Sequence, residues 1–137
     1  MEKNPDKRYR EGVNIIELNQ TPPVDMEFIQ TIAGGDHSFI RELLTTFVSE
    51  VDSRLPRMEQ ALERVRGMEL RQLVHSFVGT SGCVGAYELQ ERARSLENRI
   101  LAASLTDTQE SYELFHQELL RAREFAVGQL ALFDKKD

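Results

Sequence analysis

The apolar residues of this chain return every three to four positions from residue 24 onward, and no stretch alternates apolar with polar. That period restricts the chain to helices. A stripe recurring at about 3.6 residues is buried against other helices, so the expected class is all-α: an antiparallel four-helix bundle with an additional short N-terminal helix. Met26, Phe28, Ile29 and Ile32 mark the short helix, which Ala33-Gly34-Gly35 should stop, with Asp36 as N-cap of the next. Phe39, Ile40, Leu43, Leu44, Phe47, Val48, Val51 and Leu55 follow, and Met58, Leu62 and Val65 continue their stripe to a terminator at Gly67. Pro56 lies inside it, where a missing N–H and a clash with the preceding turn predict a kink near 52–56 or two abutting helices. Leu70, Leu73, Val74 and Phe77 carry a helix over 68–83, and Leu89, Ala93, Leu96 and Ile100 another over 86–103. The last opens near Thr106, with Thr106-Asp107-Thr108-Gln109 in the pattern of a capping box, and runs through Tyr112, Phe115, Leu119, Ala122, Ala126, Leu130 and Phe133.

At 137 residues the chain is the size of one domain. The division expected is an N-terminal arm, 1–23, and a helical bundle, 24–134. The arm is polar and aperiodic over 1–12, then carries Val13, Ile15, Ile16 and Leu18 ahead of the breaker Pro22-Pro23. No apolar run approaches the roughly 20 residues of a membrane-spanning helix, and the first residues lack the layout of a signal peptide, so a cytoplasmic protein is expected. Cys83, the one cysteine, has no second cysteine for a disulfide or a thiolate metal site. Net charge is −6, and the basic residues are scattered among acidic ones rather than drawn into a stripe, which argues against nucleic acid as partner.

The segment that carries chemistry is His75-Ser-Phe-Val-Gly79-Thr-Ser-Gly-Cys-Val-Gly85-Ala86-Tyr-Glu-Leu89. At ~100° per residue, Leu70, Leu73, Val74 and Phe77 fall within roughly 60° of the core direction, whereas His75 falls about 140° away and faces solvent. Arg71 and Gly82 lie about 40° and 20° from His75 on the same wheel, and Gly79 sits one turn further on. Glycine inside a helix costs about 0.5–1 kcal/mol relative to alanine, so two beside an exposed histidine need a reason. Clearance for an approaching surface is one reason; close helix packing or a helix end, for Gly82 especially, is the other.

This segment resembles the signature of the histidine phosphotransfer (HPt) family, His-x-x-Lys-Gly-x-x-x-x-x-Gly-Ala-x-x-Leu followed by Leu-Glu. His75, Gly79, Gly85, Ala86, Leu89, Leu96 and Glu97 occupy matching positions. Two positions depart: Val78 stands where the family commonly has lysine, and Cys83 where it often has asparagine. The resemblance implies a phosphocarrier that accepts a phosphoryl group on His75 and passes it on, with Glu97 facing His75 and orienting its imidazole. The implied partners are a response-regulator receiver domain and a hybrid sensor histidine kinase, with the chain itself a monomer. Magnesium would come from the receiver's acidic pocket, and the chain would hold no cofactor of its own. The missing lysine would have helped to neutralise the phosphoryl group; Arg71, one turn before His75, and Arg94, three residues before Glu97, are the candidates to supply that charge. The alternative is a degenerate module that docks a receiver or another regulatory protein without accepting phosphate, which Val78 favours and the joint presence of His75, Gly79 and Glu97 disfavours.

Other candidates carry less. No phosphate-binding loop or glycine-rich kinase loop is present, so no means of binding ATP is visible and the chain does not read as an enzyme. His116 lies on a helix flank without a following glycine turn, and His37 at a helix start reads as a solvated end. Glu113-x-x-His116 would need a second such pair and two more carboxylates to form a di-iron site. Ser81 reads as a small residue permitting close helix contact, and Cys83 as structural.

Overall fold

The computed structural model describes residues 21–102 and 108–136, and among them every element is helical. Helices α1 (Met26–Ala33), α2 (His37–Glu63), α3 (Gly67–Cys83), α4 (Tyr87–Ala102) and α5 (Gln109–Lys136) follow in order. The arm ahead of residue 21 and the capping pattern at Thr106 lie outside the described residues. α2 packs on α3 and α5, α3 on α4, and α4 on α5, which closes an antiparallel four-helix bundle with α1 set against α2. No described helix is long and apolar enough to cross a membrane.

The stripes read from the sequence form the core. Ile40, Leu44, Phe47, Val51 and Met58 of α2 meet Leu70, Leu73, Val74 and Phe77 of α3, Leu89, Ala93 and Leu96 of α4, and Tyr112, Phe115, Leu119, Ala122 and Ala126 of α5, all buried. Each fully buried Leu, Ile or Phe contributes about 1.5–3 kcal/mol, so this apolar seam dominates stability. Phe77 meets Phe115 edge-on across the centre, ring centroids 6.0 Å apart. On the outside the α2–α5 register is marked by ion pairs: as α2 advances through Arg41, Asp52 and Glu59, its partners on α5 recede through Asp134, Arg123 and His116.

The caps explain the breaks. Asp36 accepts from the backbone N–H of Ser38 and Phe39 and starts α2, as its place after two glycines implied. Gly34 and Gly35 both have positive φ. Asp25 caps α1 by accepting from Phe28 N–H, while its own N–H donates to the carbonyl of Gly85 at 3.2 Å, tying α1 to the α3–α4 corner. Gly85 is constrained twice: its φ is +65°, and a Cβ there would lie 2.8 Å from Asp25 Cβ. The Thr21 carbonyl accepts from Arg121 of α5 at 2.9 Å, so residues 21–25 run against the bundle.

Three expectations are corrected. α2 runs unbroken through Pro56 and is not two abutting helices. Pro56 and Asp52, whose carbonyl loses its usual donor, are both exposed, so water can take that donor's place. Gly67 is not the terminator of α2 but the first residue of α3. The chain turns at Val65, which has φ +56°, with Arg66 N–H bonded to Ala61 O and Val65 N–H to Leu62 O in a Schellman arrangement. Ile32 is 48% exposed rather than part of the core.

A β-branched residue in the left-handed region is strained, and the Val65 side chain is exposed, so it returns little by packing. Val65→Gly is expected to raise stability by about 1 kcal/mol, read as a higher urea midpoint at unchanged slope. An unchanged or lower midpoint would show that the turn is not strained.

Candidate functional site

α3 presents one packed and one open face. Leu70, Val74 and Phe77 are fully buried, and His75, on the opposite side, has 65% of its side chain exposed. A helix held from behind cannot shift its open face easily, so an exposed ring there sits on a rigid support.

The ring is nonetheless held. Its Nδ1 lies 3.0 and 2.9 Å from the two carboxylate oxygens of Glu97 on α4. A carboxylate only accepts, so the contact is one in which an Nδ1–H donates to Glu97, and in a neutral ring that tautomer has its lone pair on Nε2. Glu97 is only 13% exposed, and Arg71 Nη2, 3.3 Å from its Oε2, supplies a second positive partner. A carboxylate so far withdrawn from water needs such partners, because an unpaired buried charge is costly.

The remaining candidates separate. Gly79 lies one turn beyond His75 in open space: a Cβ there would meet nothing within 4 Å. Gly82 differs. A Cβ at Gly82 would lie 2.8 Å from Gln90 Nε2, so the position is occupied by a neighbouring side chain and is not clearance for a partner. Nor does Gly82 cap the helix, since α3 ends at Cys83 and the left-handed residue is Gly85. Val78 is half-buried and packs against the core cluster. Arg94 is exposed and pairs with Glu91 of its own helix at 2.9 Å. Gln90, which the sequence did not single out, donates from Nε2 to the Val78 carbonyl at 2.8 Å. Its one available signal is its place a full two turns before Glu97 on the same side of α4.

Residues 42–125, well over half of the chain and most of the bundle, match the family model of the Hpt domain. The chain belongs to the Hpt family. Its fold is similar to the crystal structure of histidine-containing phosphotransfer protein B (HptB) from Pseudomonas aeruginosa PAO1. That likeness has a TM-score of 0.72 and 24% identity over 82% of this chain and 97% of that one. No curated protein matches the chain. Hpt domain proteins are phosphocarriers rather than enzymes and act with receiver domains and kinases in phosphorelays.

The other histidines and the buried Ser81 and Tyr112 of this Hpt domain lie elsewhere. Ser81 is fully buried in the α3 seam, as a small residue between helices would be. His37, first residue of α2, is an exposed helix start, with its ring 5.7 Å from that of Phe133. His116 stacks on Tyr112 at 5.8 Å, with Nε2 3.7 Å from Glu59. The Tyr112 hydroxyl is buried without a hydrogen-bond partner, and its burial, helped by the charge on Glu59, pushes its pKa from 10.0 up to about 12. The fold therefore prefers the neutral phenol: its contribution is complete below the unfolded pKa of about 10 and is lost as pH rises toward about 12. The urea midpoint should fall between pH 10 and 12, and fall less in Tyr112→Phe. That variant should be at least as stable as the wild type at neutral pH, because it removes an unsatisfied hydroxyl. Identical alkaline profiles would exclude Tyr112 as a source of the loss.

Proposed function

We propose that this chain carries a phosphoryl group on Nε2 of His75, taking it from a receiver-domain aspartyl phosphate or from a sensor histidine kinase and handing it to another receiver aspartate. The observation that carries this reading is the contact of Glu97 with Nδ1 of an otherwise exposed ring: it leaves the Nε2 lone pair aimed at the side from which a partner would come. In the transfer, the N–P bond forms at Nε2 as the acyl P–O bond of the donor breaks, and the aspartate leaves as a carboxylate. The Nδ1 proton stays on the ring, which becomes cationic, and Glu97 balances that charge.

The single carboxylate at the site already bonds His75 and Arg71, which is a poor start for an octahedral oxygen cage. Magnesium, as the family resemblance implies, would come from the receiver's acidic pocket. Positive charge for the phosphoryl oxygens would come from Arg71 or Arg94. The Arg94–Glu91 pair is half-exposed on the arginine side and more so on the glutamate, so redirecting Arg94 costs little. Arg71 is bound to the mostly buried Glu97 and is held more firmly. A second reading, docking without transfer, is favoured by Val78, which packs its side chain against the core where a lysine would supply charge.

Mixing the protein with a phosphorylated receiver and magnesium should place acid-labile, base-stable phosphate on the wild type and none on His75→Gln. Binding to several receivers with no label from any of them would leave only docking. Gly79→Ala adds a sharper expectation. Its methyl enters open space, so the variant should be about 0.5–1 kcal/mol more stable, yet it should transfer more slowly because the methyl stands where the partner must close on His75. Unchanged transfer at raised stability would remove clearance as the reason for Gly79.

A further inference from the structure

The α3–α4 contact behind His75 is apolar, made of Val74, Leu89, Ala93 and Leu96, all buried. Such a surface resists separation and large slides, and polar side chains that bond across it fix the height of one helix on the other more finely. Polar side chains of α4 reach across to α3. Glu97 meets His75 and Arg71, and Gln90 donates to the carbonyl of Val78. The two α4 residues are seven positions apart, about 10 Å along the helix. They bracket the turn of α3 that contains His75, Val78 and Gly79.

We infer that Gln90 is a positioning residue for His75, and that Gly82 is glycine so that the Gln90 carboxamide can lie across α3 and hold its register against α4. The Val78 carbonyl has a second lone pair beyond the one used by its own helix, and that is the acceptor Gln90 requires. A Cβ at residue 82 would sit 2.8 Å from the Gln90 nitrogen, so any side chain there drives the carboxamide off its acceptor. Gln90 is half-buried, which keeps the bond partly screened from water. With this contact gone, a polar tie between α3 and α4 beside His75 is lost, and a shift of a few tenths of an ångström at Nδ1 is enough to lengthen both ring contacts beyond good hydrogen-bond distance.

The inference extends the proposed phosphoryl transfer on His75, but two of its three tests do not depend on that reading. The first is a double-mutant cycle in urea. In the Gln90→Ala background, Gly82→Ala should raise the midpoint, as alanine does inside a helix; in the wild-type background it should raise it less or lower it. The second is the His75 ring itself, read by ¹H–¹⁵N NMR at the imidazole nitrogens. The Nδ1–H tautomer should dominate in the wild type and give way toward a mixture in Gln90→Ala, in Gly82→Ala and in Gln90→Glu. The last variant keeps the shape of Gln90 and loses its donor, so a merely space-filling role would leave its spectrum unchanged.

The third test is the transfer rate from a phosphorylated receiver, expected to fall on the order of tenfold to a hundredfold in the same three variants, with the double variant no worse than either single one. Additive effects in the cycle, together with an unchanged tautomer in Gln90→Glu, overturn the inference. If the wild type accepts no phosphate while the cycle and the tautomer behave as stated, the carrier reading fails and the positioning role of Gln90 stands.

Discussion

Everything at this site depends on a carboxylate reaching from one helix to the back of an exposed ring on the next. A histidine that another protein must touch cannot be buried, and an unburied side chain ordinarily samples several rotamers. Glu97 resolves that conflict by holding Nδ1 from behind while the rest of the ring stays in solvent. The carboxylate can do so because it is itself mostly buried and rigid, and it can be buried because Arg71 and the ring share its charge. Arg71 and His75 lie one turn apart on α3 and face the same residue of α4, so the pairing requires one relative setting of two helices.

That setting is built from further away. The α3–α4 corner closes through Gly85, whose left-handed backbone lets Ala86 N–H return to Ser81 O, while its carbonyl receives the N–H of Asp25. α1 is thereby part of the same corner: Asp25 caps α1 and lies against Gly85, and Phe28 meets Tyr87 of α4 edge-on. The short N-terminal helix thus braces the start of α4, two to three turns from Glu97. At the other side the α2–α5 pair, with its antiparallel series of ion pairs, forms the wall on which α3 and α4 rest. Those exposed pairs add little stability, and their value is in excluding a slipped register.

The periodicity of the sequence was sufficient for the helices, the bundle and the outward direction of His75, because all three follow from which side of a helix is apolar. Glu97 was a different case. Its wheel position, about 80° from the core direction, is compatible with facing either neighbour, and only the family signature pointed it at His75. Gln90 shows why the rest was not legible. A polar residue on a helix flank ordinarily faces water, and nothing local says that the next helix offers a carbonyl at that height. Val65 was missed for the opposite reason: Gly67 is the better terminator by preference, yet the core stripes of α2 and α3 fix where the chain must turn, and the turn falls on a valine.

The three glycines at 79, 82 and 85 make the same point about spacing. They recur every three residues and read alike in the sequence, but each answers a different demand. Gly79 leaves space empty, Gly82 gives space to a side chain of α4, and Gly85 supplies a backbone angle and a close approach to Asp25. Two of them lie within α3 and lower its intrinsic helicity, so α3 cannot owe its order to propensity. Its order comes from Leu70, Val74, Phe77 and Ser81, buried along its inner face. Weak intrinsic helicity and strong packing behind are what let one helix be rigid at His75 and still bare around it.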